Sequence, residues 1–384
     1  MKAKLKGVTK SGSQAPAKKT LLGGSWLRMM RLFTILGVVV MVSSCNDDDS
    51  DMDIEPDGPR PEWGPTISDE MLAVIEALDS LQTGPPLYER TAEEARMAPT
   101  AADAAMAVME NNNIPVPPSQ VDTAGMEIAV DGGMIHLRTY TPRNATGPFP
   151  GIVYYHGGGW VIAGIDTYDA SARALAEKTG AVVVAVAYRQ APEYKFPTAH
   201  EDSFTAYEWV VNNAASINVD LDRIAVAGES AGGNLAAAVS MMARDRNVQM
   251  PVHQLLVYPI AGYDFNTPSY EMYAEAKPLN RPLMMWFFDK YLRTEADAES
   301  PWISLVDAPN LENLPPATVI NAQIDPLQSE GQAYADRLEE AGVPVTARVY
   351  EGVTHEFFGM AAVVPAAEEA QNLAAEELRE AFEQ

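Results

Sequence analysis

The chain has 384 residues, 47% of them hydrophobic and 21% charged, ordinary globular usage that argues against wholesale disorder. A net charge of −26 and a pI of about 4.5 repel phosphate backbones and argue against sequence-independent nucleic-acid binding, while a mean hydropathy of −0.13 excludes a polytopic membrane protein. The single cysteine, Cys45, can form neither an intrachain disulfide nor a cysteine-based zinc site.

Charge is unevenly placed. Residues 1–44 carry eight basic side chains and no acid; the remainder holds 19 basic residues against 53 acids, a net charge of −34. The basic segment leads into the apolar run Leu32 to Val42 and then Ser43-Ser44-Cys45. At about 11 residues the run is too short to span a bilayer and fits the apolar region of an export signal. Small residues before a lone cysteine resemble the lipobox of bacterial lipoproteins. That resemblance implies that Cys45 is lipidated and becomes the mature N-terminus, anchoring the protein to a bacterial membrane, the outer one, with the body facing periplasm or cell surface. Met30 opens a compact signal, so the start is open between Met1 and Met29 or Met30, the latter making residues 1–28 an overlong reading frame. Residues 45–65, acidic at Asp47-Asp48-Asp49 and then Pro-rich, read as an unfolded tether. The acidic run resembles a surface-export signal or serves as a plain linker.

The body begins with helical signals. Ser68-Asp69-Glu70 supplies a cap and acids for the positive dipole end, and Met71, Leu72, Ile75, Leu78 and Leu81 share one face. Thr91-Ala92-Glu93-Glu94 has capping-box spacing. Met126–Val130, the turn Asp131-Gly132, and Met134–Tyr140 read as an antiparallel hairpin. Strands then alternate with helices. Gly151–Tyr155, Ala181–Tyr188, Ile224–Ala227, Gln254–Tyr258, Thr318–Ile324 and Thr346–Tyr350 are apolar runs. Ala170–Thr179, Ala199–Asn213, Gly232–Arg244 and Ser329–Ala341 are helix-length. This rhythm predicts an α/β fold whose mostly parallel sheet is covered by helices. An aromatic-rich insertion of about 45 residues, Ala261–Leu305, is too long for a structureless loop. With residues 66–115 it reads as a lid.

Two motifs carry chemistry. Gly228-Glu229-Ser230-Ala231-Gly232 follows a strand and opens an Ala-rich helix, the context of a nucleophile elbow with Ser230 at its tip. His156-Gly157-Gly158-Gly159-Trp160 follows another strand, and its successive glycines let backbone N–H groups converge as an oxyanion hole. His156 reads as a loop-orienting residue. Hydrolases with such an elbow run Ser, acid, His along the chain. Of the five histidines only His253 and His355 follow Ser230. His253 starts a strand and reads as half-buried sheet, which leaves His355, in the loop after the last strand, as general base. Asp325 ends the strand Thr318–Ile324 and is the orienting acid; a surface turn residue is its alternative reading.

His156–Trp160, Tyr188-Arg189-Gln190-Ala191-Pro192-Glu193, Gly228–Gly233, Asp325-Pro326-Leu327 and His355 together resemble the hormone-sensitive-lipase-like (family IV) esterases of the α/β-hydrolase superfamily over residues 66–384. The resemblance implies an α/β-hydrolase fold with an eight-stranded sheet and a helical cap from about 66–115 and 261–305. It implies Ser230, His355 and Asp325 as the triad, and an oxyanion hole from Gly158, Gly159 and Ala231 supported by Gly157. The expected reaction is hydrolysis of short- to medium-chain carboxylic monoesters through an acyl-enzyme, with no metal or organic cofactor. Trp160, Trp286, Phe287, Phe288 and Phe357 are candidates to line the substrate pocket, against plain core or lid packing for each. Three residues depart from the family pattern. Glu229 replaces a frequent Asp, and Gln190 replaces a Leu. Glu356 follows His355 where Gly is usual; it raises the pKa of His355, contacts the lid, or, the favoured expectation, points to solvent. Amide, carbamate or acetyl-glycan hydrolysis by the same triad stays open from sequence, as does a non-catalytic surface binding protein on this scaffold.

Overall fold

The computed structural model describes residues 54–143 and 145–384. The export signal, Cys45 and the acidic run lie outside these residues. Residues 54–65 do not form a free tether. Ile54 is buried, and the amides of Asp57 and Gly58 donate to the Glu76 carboxylate. Arg60 Nε donates to the Ile67 carbonyl at 2.8 Å. The proline-rich composition misled because these contacts are made to a helix that follows in sequence.

In chain order the elements are α1 (Asp69–Leu81), α2 (Ala92–Arg96), α3 (Ala101–Asn111), β1 (Val121–Val130), β2 (Gly133–Pro142), β3 (Phe149–Tyr155), α4 (Asp169–Thr179), β4 (Val182–Ala187), α5 (Thr198–Asn213), β5 (Val219–Glu229), α6 (Ala231–Asp245), β6 (Gln254–Val257), α7 (Pro268–Met272), α8 (Arg281–Tyr291), β7 (Ala317–Ile324), α9 (Gln328–Glu340), β8 (Val345–Thr354) and α10 (Pro365–Phe382). Ser68 Oγ caps α1, and Thr91 with Glu94 closes a capping box on α2, as their spacing predicts.

The eight strands form one sheet in the order β1-β2-β4-β3-β5-β6-β7-β8. β1 and β2 are the hairpin, in register from Val130 opposite Gly133 to Val121 opposite Pro142. β2 runs antiparallel to β4, and every later pair is parallel. Alternation along the central strands feeds two cores. Val153, Tyr155, Val182, Val184, Val186 and Val226 pack on one face with α5, α6 and α9. Ile152, Tyr154, Val183, Ala185, Ala225 and Ala227 pack on the other with α1, α3, α4 and α10. Strands covered on both faces therefore read as nearly unbroken apolar runs. Helix α10 has no counterpart among the sequence expectations, which end near the last histidine. Its buried stripe is mostly alanine (Ala367, Ala370, Ala374), a weak hydrophobic signal.

Four connections matter for function, and all leave the carboxyl ends of parallel strands: those after β3, β5, β7 and β8. In an open α/β sheet this edge is where ligands bind.

Candidate active site

Ser230 sits between the last residue of β5 and the first of α6, with φ 57° and ψ −119°. A non-glycine residue in this region is strained and is held only where its surroundings over-determine it. Here the Ser230 amide donates to the Val257 carbonyl at 2.9 Å, locking the elbow to β6. The turn leaves no room beside it: a Cβ on Gly232 would lie 1.9 Å from the Tyr155 carbonyl oxygen.

Three side chains from separate strand ends meet. His355 Nε2 is 2.9 Å from Ser230 Oγ, and His355 Nδ1 is 2.6 Å from Asp325 Oδ2. Asp325 Oδ1 accepts from the Leu327 amide at 2.9 Å, which fixes the carboxylate plane. A carboxylate only accepts, so His355 Nδ1 carries its proton and donates. Nε2 is then free to accept from the Ser230 hydroxyl. Tyr258 packs beside the imidazole, ring centroids 4.5 Å apart. Burial alone would depress the His355 pKa. The Asp325 charge and hydrogen bond, with Glu356 and Glu229 nearby, outweigh it and raise the pKa above the ordinary histidine value.

The glycine loop after β3 lies against the elbow. Gly158 and Gly159 line the same cleft as Ser230. Their φ angles are +97° and +58°, and a Cβ on Gly159 would fall 2.2 Å from the Phe287 ring. Among the described residues, the amides of Gly158, Gly159 and Ala231 meet no protein acceptor. Ala231 also opens α6, whose positive end faces the serine. Gly157 is packed behind, its carbonyl 2.7 Å from His156 Nδ1. His156 stacks on Tyr188 at 4.4 Å, and burial lowers its pKa to about 4, so it orients the loop as a neutral ring. Gln190 Nε2 donates to the Ile162 and Ala163 carbonyls at 2.8 and 3.1 Å, pinning the end of this loop. His253, expected half-buried, is fully buried and bonded to Thr318 Oγ1 at 2.8 Å.

A cleft opens above Ser230 and is bounded by His355, Gly158 and Gly159 on the catalytic side. Residues 78–101 and 278–287 supply much of its wall, including Leu78, Leu87, Leu279, Leu283 and Phe287. Of the aromatic candidates, only Phe287 lines it. Trp160 is fully buried, stacked on Tyr291 at 4.5 Å beneath the glycine loop. Trp286 precedes Phe287 on α8, and adjacent helical side chains point about 100° apart, so Phe287 facing the cleft turns Trp286 away. Phe288 lines a separate depression with Tyr263 and Phe265. Phe357 is core, between Tyr258 and Tyr350.

Two acids have contacts that the sequence did not fix. Glu229 is buried and accepts from the hydroxyls of Tyr154 and Tyr258. Burial raises its pKa, which those hydroxyls and Ser171 oppose. Glu356 does not simply point to solvent. It has φ 69°, lines the cleft, and accepts from Tyr168 at 3.1 Å. No run of cation-binding side chains stands out: among the described residues, no three His, Cys, Asp or Glu gather as a metal site.

Residues 152–359 match the family described as having the alpha/beta hydrolase fold. The ethyl acetate hydrolase of Pseudomonas putida is 35% identical over 253 residues, covering 65% of this chain and 80% of that protein. Carboxylesterase NlhH of Mycobacterium tuberculosis is 41% identical over 239 residues, covering 62% and 75%. Among solved structures, a thermostable esterase from Pseudomonas putida superposes with TM-score 0.76 at 34% identity, covering 83% of this chain and 98% of that one. An esterase from the archaeon Pyrobaculum calidifontis gives 0.73 at 36%, covering 82% and 98%. The sheet order, the elbow after its fifth strand and these relatives place the chain in the α/β-hydrolase family.

Proposed function

We propose that this protein is a serine carboxylesterase acting on short- to medium-chain esters. It is a carboxylic ester hydrolase by kinship with esterases of three different organisms, and the hydrogen-bonded chain Ser230–His355–Asp325 supports the mechanism. His355 Nε2 takes the Ser230 proton as Oγ attacks the ester carbonyl. The oxyanion forms beside the Gly158, Gly159 and Ala231 amides, each worth about 2.7–4 kcal/mol of transition-state stabilisation. The imidazolium, stabilised by Asp325, returns its proton to the leaving alcohol. Water, activated by the same nitrogen, then releases the acid from the acyl-serine. The apolar wall of Leu78, Leu87, Leu279, Leu283 and Phe287 suits acyl chains of modest length.

The test is turnover of a p-nitrophenyl ester series. Acetyl to octanoyl esters are hydrolysed faster than palmitoyl, and Ser230→Ala abolishes turnover. Absence of wild-type turnover across the short chains refutes the reading. Cys45 is the proposed lipid anchor on the sequence pattern alone. A Cys45→Ala variant then partitions into the aqueous phase of a detergent extraction, and retention with membranes refutes the anchor.

A further inference from the structure

The substrate cleft contains one carboxylate that the chemistry above does not use. Glu356 lines the cleft together with Ser230 and His355, and with Thr167 it also lines an adjoining small recess. The recess presents Tyr168, Ser171 and Glu229 besides, and no cationic side chain. Glu356 Oε1 accepts from Tyr168; among the described residues, Oε2 has no protein partner. The cleft's one arginine, Arg96, is committed elsewhere. Its guanidinium meets both Glu193 oxygens at 2.9 and 2.7 Å and donates to the carbonyls of Ala191 and Val161. The other ionisable groups around Glu356 are His355, Tyr168, Tyr258, Glu229 and Asp325. With His355 neutral so as to accept from Ser230, no uncommitted cationic side chain among the described residues lines the cleft or the recess to offset the Glu356 charge. Glu356 also holds a left-handed backbone conformation that glycine adopts without strain.

Resting on the esterase reading, we propose that Glu356 is a specificity-determining residue that makes this active site discriminate by charge, favouring esters with neutral or cationic substituents near the scissile bond and rejecting anionic ones. Coulomb repulsion inside the cleft acts on the substrate charge and leaves neutral esters indifferent.

The experiment compares kcat/KM for matched esters. On the acyl side these are p-nitrophenyl 4-trimethylammoniobutyrate, p-nitrophenyl butyrate and p-nitrophenyl hydrogen glutarate. On the alcohol side they are the butyrates of 4-trimethylammoniophenol, phenol and 4-hydroxybenzoate. Burial pushes the Glu356 carboxyl above its ordinary value, so assays run at about pH 8.5, which favours the ionised form. The enzymes are wild type, Glu356→Gln and Glu356→Gly, the last suited to the backbone. A loss of His355 basicity in the variants affects all esters alike and cancels in the cation-to-anion ratio. That ratio falls by about tenfold or more on at least one side in both variants, equivalent to about 1.4 kcal/mol. A ratio within about twofold of wild type on both sides, with p-nitrophenyl butyrate still turned over, overturns the proposal. No turnover of p-nitrophenyl butyrate by the wild type overturns the esterase reading, and this inference with it.

Discussion

Asp325→Asn separates the charge of the triad from its shape. The side chain is isosteric, and its oxygen keeps the Leu327 amide, now at 2.9 Å. The amide nitrogen then faces His355 Nδ1, at present 2.6 Å from a carboxylate oxygen. An NH₂ group donates, so Nδ1 must accept and the ring proton moves to Nε2. In that tautomer His355 cannot take the Ser230 proton. The charge term is substantial as well. Asp325 and His355 are both buried, and a unit charge pair about 4 Å apart at an effective dielectric near 20 is worth about 4 kcal/mol. Losing it from the imidazolium state lowers kcat by about 10³, and the wrong tautomer carries the loss toward about 10⁴. The assay is kcat for p-nitrophenyl butyrate beside a thermal melt. The melt changes little because volume and the Leu327 bond are kept. A kcat loss under about tenfold, with the melt unchanged, refutes the assignment of Asp325.

The proposed mechanism requires neutral His355, so kcat/KM is expected to rise through the folded pKa of this residue. Its pKa is raised by Asp325, Glu356 and Glu229 against burial, which places the acid limb above the ordinary value of about 6.5. Removing the Asp325 charge moves the limb to lower pH, and a limb indifferent to that change contradicts the electrostatics. Stability has a different window. His156, His200 and His253 are buried with pKa values lowered to about 4, so the unfolded chain binds more protons than the folded one between about pH 6.5 and 4. Each contributes stability that is present above the unfolded pKa and falls by up to about 1.4 kcal/mol per pH unit across that window. His355, with its pKa raised, acts in the opposite direction at higher pH, where its contribution is lost as pH rises through the folded value. Urea midpoints should drop steeply from pH 6.5 to 4, and a flat profile contradicts the buried neutral histidines. Gly159→Ala places a methyl group against Phe287 in a left-handed conformation. It should lower kcat by about 10²-fold or more through the oxyanion hole, with a smaller loss of stability of about 1–2 kcal/mol. A stability loss without a kcat loss removes Gly159 from the proposed machinery.

The hairpin, the parallel strands and the elbow were legible because each is local. Asp131-Gly132 forms the turn opposite Val130 and Gly133, and the β5 apolar run ends at Gly228-Glu229-Ser230, where the chain reverses. The meeting of His355 with Ser230 and Asp325 followed from chain order and is present in the geometry. What escaped depends on distant partners. Ile54 and its neighbours looked unstructured until helix α1 supplied the Glu76 acceptor. Trp160 and Phe357 looked like pocket residues because aromatic type carries no direction, and packing against Tyr291 and Tyr258 decides it. Helix α10 is hidden by its alanine stripe. Glu356 shows only as a carboxylate in place of glycine; its facing is fixed by Tyr168, 188 positions earlier.

The account turns on Ser230 Oγ becoming covalently bonded during turnover. The most direct measurement is intact mass and peptide mapping after treatment with a neutral ethyl p-nitrophenyl alkylphosphonate, which phosphonylates an activated serine and releases nitrophenolate. The expected result is one adduct per chain, on the peptide containing Ser230, absent from Ser230→Ala and formed more slowly in Asp325→Asn. Unlabelled Ser230 in an enzyme that still hydrolyses butyrate esters, or residual full activity in Ser230→Ala, would contradict it.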